Sequence, residues 1–230
     1  MILYLIPTPL GEDTMQTIPE YVIEVLHGLE HFIVERAKTA RHFIKATQHP
    51  TPLPTLEMVE LNEHEQQDAK IFFTEMIKQN KSVGLMSEAG CPGVADPGAA
   101  IVAMAHQLGI EVVPLVGPSS ILLAMMGSGM NGQSFCFHGY LSAKQPVADL
   151  KKLEMLSQRG QQTQIFIETP YRNKNIVDAA FKNLLPSTRF CIAMDLTMPT
   201  QYIKTLTIAA WKQAQLPELH KRAAVFLILV

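Results

Sequence analysis

Short apolar runs alternate with amphipathic stretches along the whole chain. Residues 2–6 (Ile2, Leu3, Tyr4, Leu5, Ile6) form an unbroken apolar run that predicts a buried strand, ended by the turn Pro7-Thr8-Pro9-Leu10-Gly11. Residues 19–29 carry Val22, Val25, Leu26 and Leu29 at helical spacing, and residues 31–35 read as a second strand. Helices follow over 38–46, 66–79 and 97–108, the second turning Ile71, Phe72 and Met76 inward, with strands over 82–86 and 110–115. This alternation is the pattern of an α/β protein with a mostly parallel sheet. Pro118, after Val116-Gly117, cannot continue a strand's hydrogen-bond ladder. A domain junction is therefore expected there, giving one α/β domain over residues 1–116 and a second over 117–230. Beyond a helix over 119–126, strands are expected at 134–141, 164–168, 189–196, 202–207 and 223–230, with helices only at 145–159, 171–185 and 208–215. That texture fits a mixed, partly antiparallel sheet.

Composition narrows the class. A chain of 230 residues can bury a sizeable core without disulfides or metals, and at 47% hydrophobic and 17% charged it is neither disordered nor a coiled coil. No apolar run reaches the ~18 residues of a membrane span. The first residues have neither the basic stretch nor the small-residue cleavage site of a signal peptide. The expectation is a soluble, cytoplasmic protein. Cys91, Cys136 and Cys191 lie far apart with no Cys-x-x-Cys pair, so they read as reduced thiols and no metal site is expected. A net charge of -2 excludes a protein that coats nucleic acid with a basic surface, but not a local basic patch.

Chemistry concentrates in a few places. Ser87-Glu88-Ala89-Gly90-Cys91-Pro92-Gly93-Val94-Ala95-Asp96-Pro97-Gly98 follows a strand and precedes a helix, where open α/β sheets place ligands. Its glycines leave bare backbone for close approach. Within it, Asp96 followed by Pro97 predicts a helix start with Asp96 as the cap. Gly127-Ser128-Gly129-Met130-Asn131-Gly132 fits a dinucleotide fingerprint by letter, but it closes a helix and leads into a strand, the reverse of the required order. Asn62-Glu63-His64-Glu65 sets an imidazole among carboxylates ahead of a helix. It reads either as a proton acceptor or as acids placed favourably at a helix N-terminus. Lys38, Arg41 and Lys45 share one helical face, which is either a solvated face or a contact for phosphate. Glu168 ends the strand 164–168, and Thr169 with Pro170 predicts a cap for the next helix.

Together with Val113-Pro114-Leu115-Val116-Gly117-Pro118-Ser119-Ser120, Phe137-His138-Gly139-Tyr140-Leu141 and Glu168-Thr169-Pro170-Tyr171-Arg172, these blocks resemble the tetrapyrrole-methylase-like superfamily of S-adenosylmethionine-dependent methyltransferases. Within it they are most similar to the branch that methylates a ribose 2′-hydroxyl of small-subunit ribosomal RNA. The resemblance implies two α/β domains with S-adenosyl-L-methionine in the cleft between them, and a homodimer. It implies donor contacts at Pro9, at Glu88, Ala89, Gly90, Gly93 and Val94, at Ser119 and Ser120, at Ile167 and Glu168, and around Met194. Lys38 and Arg41 would then hold RNA phosphates, and Glu63 or His64 would accept the proton. The chain departs from that branch on its substrate side. Glu35-Arg36-Ala37-Lys38-Thr39-Ala40-Arg41 stands where the branch reads Glu-Asp-Thr-Arg-His-Thr-Arg, Asn62-Glu63-His64-Glu65 replaces His-Glu-His-Asn, and Asp195-Leu196-Thr197-Met198 replaces Glu-Leu-Thr-Lys. The chain also ends at Val230, without the extra C-terminal segment of that branch. Two other readings stay open: a methyltransferase for a tetrapyrrole or other small acceptor, and a catalytically silent cofactor-binding protein that acts by binding RNA or a partner.

Overall fold

A computed structural model describes residues 1–61 and 66–230. The chain divides into two units, Met1–Ser119 and Ser120–Val230. The first contains strands β1 (Ile2–Ile6), β2 (His31–Val34), β3 (Glu57–Glu60), β4 (Val83–Met86) and β5 (Glu111–Pro114). Its helices are α1 (Glu20–His27), α2 (Ala37–Ala46), α3 (Gln66–Lys78) and α4 (Ala99–Gln107). The five strands form one parallel sheet in the order β3-β2-β4-β1-β5.

Strand alternation sorts the helices to two faces. Ile6, Phe32, Val34 and Met86 point to the face that buries Val22 and Leu26 of α1 and Ala40, Phe43 and Ile44 of α2. Leu3, Ile33, Val83 and Leu85 point to the other, against Phe72, Phe73 and Met76 of α3 and Ile101 and Ala105 of α4. The chain steps from β1 through β2 to β3 in one direction, then returns to β4 and β5 in the other. Right-handed crossovers taken in opposite directions place their helices on opposite faces.

The second unit contains α5 (Ser120–Ser128), β6 (Phe135–Tyr140), α6 (Pro146–Gly160), β7 (Thr163–Glu168), α7 (Asn173–Asn183), β8 (Arg189–Met194), β9 (Tyr202–Thr207), α8 (Ile208–Trp211) and β10 (Ala224–Leu229). Its sheet runs β6-β7-β10-β8-β9, parallel only between β6 and β7. Phe166, Phe190 and Phe226 pack on Phe181 of α7 and Trp211 of α8, and the Trp211 indole N–H donates to the Phe190 carbonyl at 2.7 Å. The glycine run after α5 leads into β6 as a connection: Gly129 sits at φ +66, and a Cβ on Gly127 would lie 2.6 Å from Ile203 Cδ1.

One strand is found where none is expected, and two local expectations are corrected. Strand β3 was not predicted, because Glu-Met-Val-Glu is acidic at both ends, as suits an edge strand. Asp96 does not cap a helix. Gly98 at φ +141 keeps Pro97 and Gly98 out of α4, whose cap is Gly98 itself with no side-chain bond. Thr169 does not cap α7 either. Its carbonyl takes the Arg172 N–H at 2.8 Å in a turn, and the helix begins at Asn173 with Arg172 as its cap. Among the described residues no helix is long and apolar enough to cross a membrane.

Candidate active site

In the first unit the loops after β1, β2 and β4 emerge from the carboxyl ends of parallel strands, and they bound a groove of about 940 Å³. One wall is the β1–α1 connection, from Thr8 and Pro9 to Met15. Another is the start and exposed side of α2, with the capping residue Arg36 and with Lys38, Thr39, Arg41 and Lys45. A third is Ser87, Glu88 and Ala89. Five residues expected to serve the site on different grounds, Pro9, Glu88, Ala89, Lys38 and Arg41, thus line one groove. Lys38, Arg41 and Lys45 are all exposed.

The turn after β4 is held by its neighbours. Thr8 and Gly90 exchange backbone hydrogen bonds of 2.9 and 3.0 Å, with Gly90 at φ +80, a conformation that favours glycine. The Cys91 thiol donates to the Pro118 carbonyl at 3.5 Å, and burial raises its pKa, which disfavours the thiolate. On the other side of Pro7 the backbone comes close at Gly117: a Cβ there would sit 2.2 Å from Pro7 Cβ. Beyond Gly90 the loop opens. Nothing lies within 4 Å of a Cβ built on Gly93, at φ +81, and the neighbouring Val94 is 47% exposed. Bare backbone thus stands beside an exposed apolar side chain here.

Several residues that sequence reasoning did not single out complete this turn. The Glu88 N–H donates to Glu35 Oε2 at 2.9 Å, and the Glu88 carboxylate accepts from Thr39 Oγ1 at 3.0 Å with Arg36 Nε 3.5 Å away. Glu60 of β3 accepts the first helical N–H of α2, from Ala37, at 2.7 Å, a cap supplied from a neighbouring strand. The Asp96 carboxyl is pushed up to about 6 by burial and by Glu35, with a smaller push from Glu88, while a hydrogen bond with Ser87 opposes the rise. Only the strand-end position of Glu35 could have flagged it from sequence. Glu63 and His64 lie outside the described residues.

Ser119 closes the first unit and Ser120 opens α5 in the second. Ile167 and Glu168 end β7, and Met194 ends β8 with its side chain fully buried in the core. The Glu168 side chain is fully buried. Arg172 Nη2 lies 3.1 Å from Oε1, yet off hydrogen-bond geometry, so that oxygen has a charge partner without a directed bond. Oε2 accepts the Thr169 N–H at 3.1 Å. Burial raises the carboxyl pKa against the pull of Arg172 and this bond. Among the described residues no group of three or more His, Cys, Asp or Glu is placed to hold a metal ion.

The chain is 33% identical over 196 residues to the ribosomal RNA small subunit methyltransferase I of Bacillus subtilis, a match covering 85% of this chain and 64% of that protein. It is 31% identical over 208 residues to the protein of the same name from Vibrio cholerae, covering 90% of this chain and 69% of that one. The chain therefore spans about two thirds of the length of these relatives, and slightly less for the first. Among solved structures, uroporphyrin-III C-methyltransferase from Thermus thermophilus complexed with S-adenosyl homocysteine superposes with a TM-score of 0.59 at 14% identity, over 100% of this chain and 97% of that one. That likeness shows the fold. Residues 3–211 match the family described as tetrapyrrole (corrin/porphyrin) methylases, and with strand-end loops, groove and relatives in agreement, the chain belongs to that family.

Proposed function

We propose that this chain is an S-adenosylmethionine-dependent methyltransferase that methylates a ribose 2′-hydroxyl of ribosomal RNA. The observation that carries the reading is the groove in the first unit, where Pro9, Glu88 and Ala89 share walls with the exposed cations Lys38 and Arg41. Membership of the methylase family and relatives named as ribosomal RNA methyltransferases support the same assignment.

In this reading the residue 88–94 loop holds the donor, through Glu88, Ala89, Gly90, Gly93 and Val94, together with Pro9 and Ser119. Bound S-adenosylmethionine supplies a methyl group already activated on a sulfonium. The protein's task is alignment in a water-poor site, which can supply ~7–11 kcal/mol of the barrier. Lys38 and Arg41 position the RNA through phosphates, contacts that fix register without reading sequence. The ribose hydroxyl gives up its proton in the transition state, and Glu63 or His64 is assigned to accept it. The protein works in the cytoplasm as a homodimer.

Small-subunit ribosomal RNA from cells lacking the protein should gain a 2′-O-methylated nucleotide when incubated with the protein and S-adenosylmethionine, mapped by mass spectrometry. Absence of any RNA methylation, with methyl transfer to a tetrapyrrole instead, would overturn the assignment.

A further inference from the structure

Glu88 is held by three residues of a single turn. Glu35, Arg36 and Thr39, at the end of β2 and the start of α2, engage respectively its backbone N–H and, for the last two, the same carboxylate oxygen, at 2.9, 3.5 and 3.0 Å. The two walls are therefore joined through one side chain, since Glu88 begins the loop assigned to the donor and α2 carries the basic face. The Arg36 side chain is 64% exposed and lines the same groove as Lys38 and Arg41. It faces the space that a bound phosphate would enter, and a guanidinium binds phosphate in a two-pronged geometry that its single 3.5 Å approach to Glu88 does not use.

We propose that Arg36 is shared between Glu88 and an RNA phosphate, so that RNA binding on the α2 face uncovers the negative charge of Glu88 beside the donor loop. The inference rests on the function proposed above. When RNA arrives, Arg36 turns to the phosphate, while Thr39 and Glu35 keep Glu88 in place. Glu88 then presents an uncompensated carboxylate, and the phosphate adds its own negative field. S-Adenosylmethionine carries a positive charge at sulfur; S-adenosylhomocysteine, the product, has lost it. RNA therefore tightens the donor more than the product, which favours loading before transfer and release after it. By linkage the donor tightens RNA by the same factor. The exposed pair limits the effect to about two- to fivefold.

Calorimetric titration of S-adenosylmethionine and S-adenosylhomocysteine, each with and without a saturating short single-stranded RNA, tests this on the full chain. In the wild type, RNA should tighten the donor about two- to fivefold and the product less. Arg36→Gln, which can still hydrogen-bond Glu88 but brings no charge to share, should bring the RNA effect on the donor close to that on the product. Arg36→Lys should restore part of the difference. An undiminished difference in Arg36→Gln, or a wild type in which RNA shifts donor and product alike, would overturn the proposal while leaving the methyltransferase reading intact. A wild type that binds neither donor nor RNA would overturn both.

Discussion

At the level of single residues, the segment between β4 and α4 holds a carboxyl that resists ionisation. Asp96 titrates near 6 in the folded chain against an ordinary value of 3.8, because it is partly buried near Glu35 and Glu88. The folded state therefore holds the proton more tightly than the unfolded one, so this group's contribution is fully present below pH 3.8 and is lost as pH rises through about 6. Asp96→Asn should accordingly stabilise the protein at pH 8 by about 1 kcal/mol, after discounting for solvent screening, and by about half as much at pH 5. Urea unfolding at the two pH values reads this directly, and an equal effect at both would refute it. Gly117 gives a second expectation. A methyl group there meets Pro7 at 2.2 Å, and neither a proline ring nor backbone yields cheaply. Gly117→Ala should cost about 1–3 kcal/mol of stability, measured by denaturant titration. The glycines and prolines after β4 were legible in the sequence as a loop between a strand and a helix. The role of Asp96 was not, since Asp-Pro is a helix-start signal and only the φ of Gly98 shows that the helix begins later.

Helix α2 is where local sequence and tertiary contact meet. Its apolar residues Ala40, Phe43 and Ile44 are buried, which leaves Lys38, Arg41 and Lys45 on the exposed face, as their spacing required. Replacing Lys38 and Arg41 together with Ala should weaken RNA binding by a similar factor across sequences and flatten its salt dependence by roughly one unit of slope per lost phosphate contact. S-Adenosylhomocysteine affinity without RNA should stay nearly unchanged, because neither residue belongs to the donor loop. If the double variant binds RNA like the wild type, that face is only solvated. The helix start depends on Glu60, which takes the Ala37 N–H. Glu60→Ala should cost about 1 kcal/mol in urea unfolding, the usual scale for losing a helix cap. No pattern in residues 37–46 announced this cap, because it comes from a strand that the sequence reading missed. The departures at Arg36 and Thr39, visible in the sequence as substitutions, acquire a physical meaning only through their shared partner Glu88.

For the whole chain, every strand but β3 and the sequence of helices were readable because apolar runs alternate with stretches of helical period, and the texture change after Val116 reflects a parallel sheet giving way to a mixed one. Strand order was not readable, since apolar runs carry no address. The proposed homodimer should appear in light scattering at micromolar concentration as about twice the mass of one chain, and a clean monomer would count against it. Strand order also has a consequence for how the molecule is made. In the second unit β10 lies between β7 and β8, pairing Phe226 with Phe166 on one side and Ile192 on the other. All six of its residues are buried. A ribosome delivers this strand after the four it pairs with or flanks, so those strands wait, with an apolar slot between β7 and β8, until residues 224–229 emerge. The first unit can close once Glu111 is available to Ile2. Synthesis thus imposes a sequence of events: one sheet is complete while the other remains an open frame, sticky until β10 fills it, and a nascent chain stalled short of residues 224–229 is the form most exposed to aggregation.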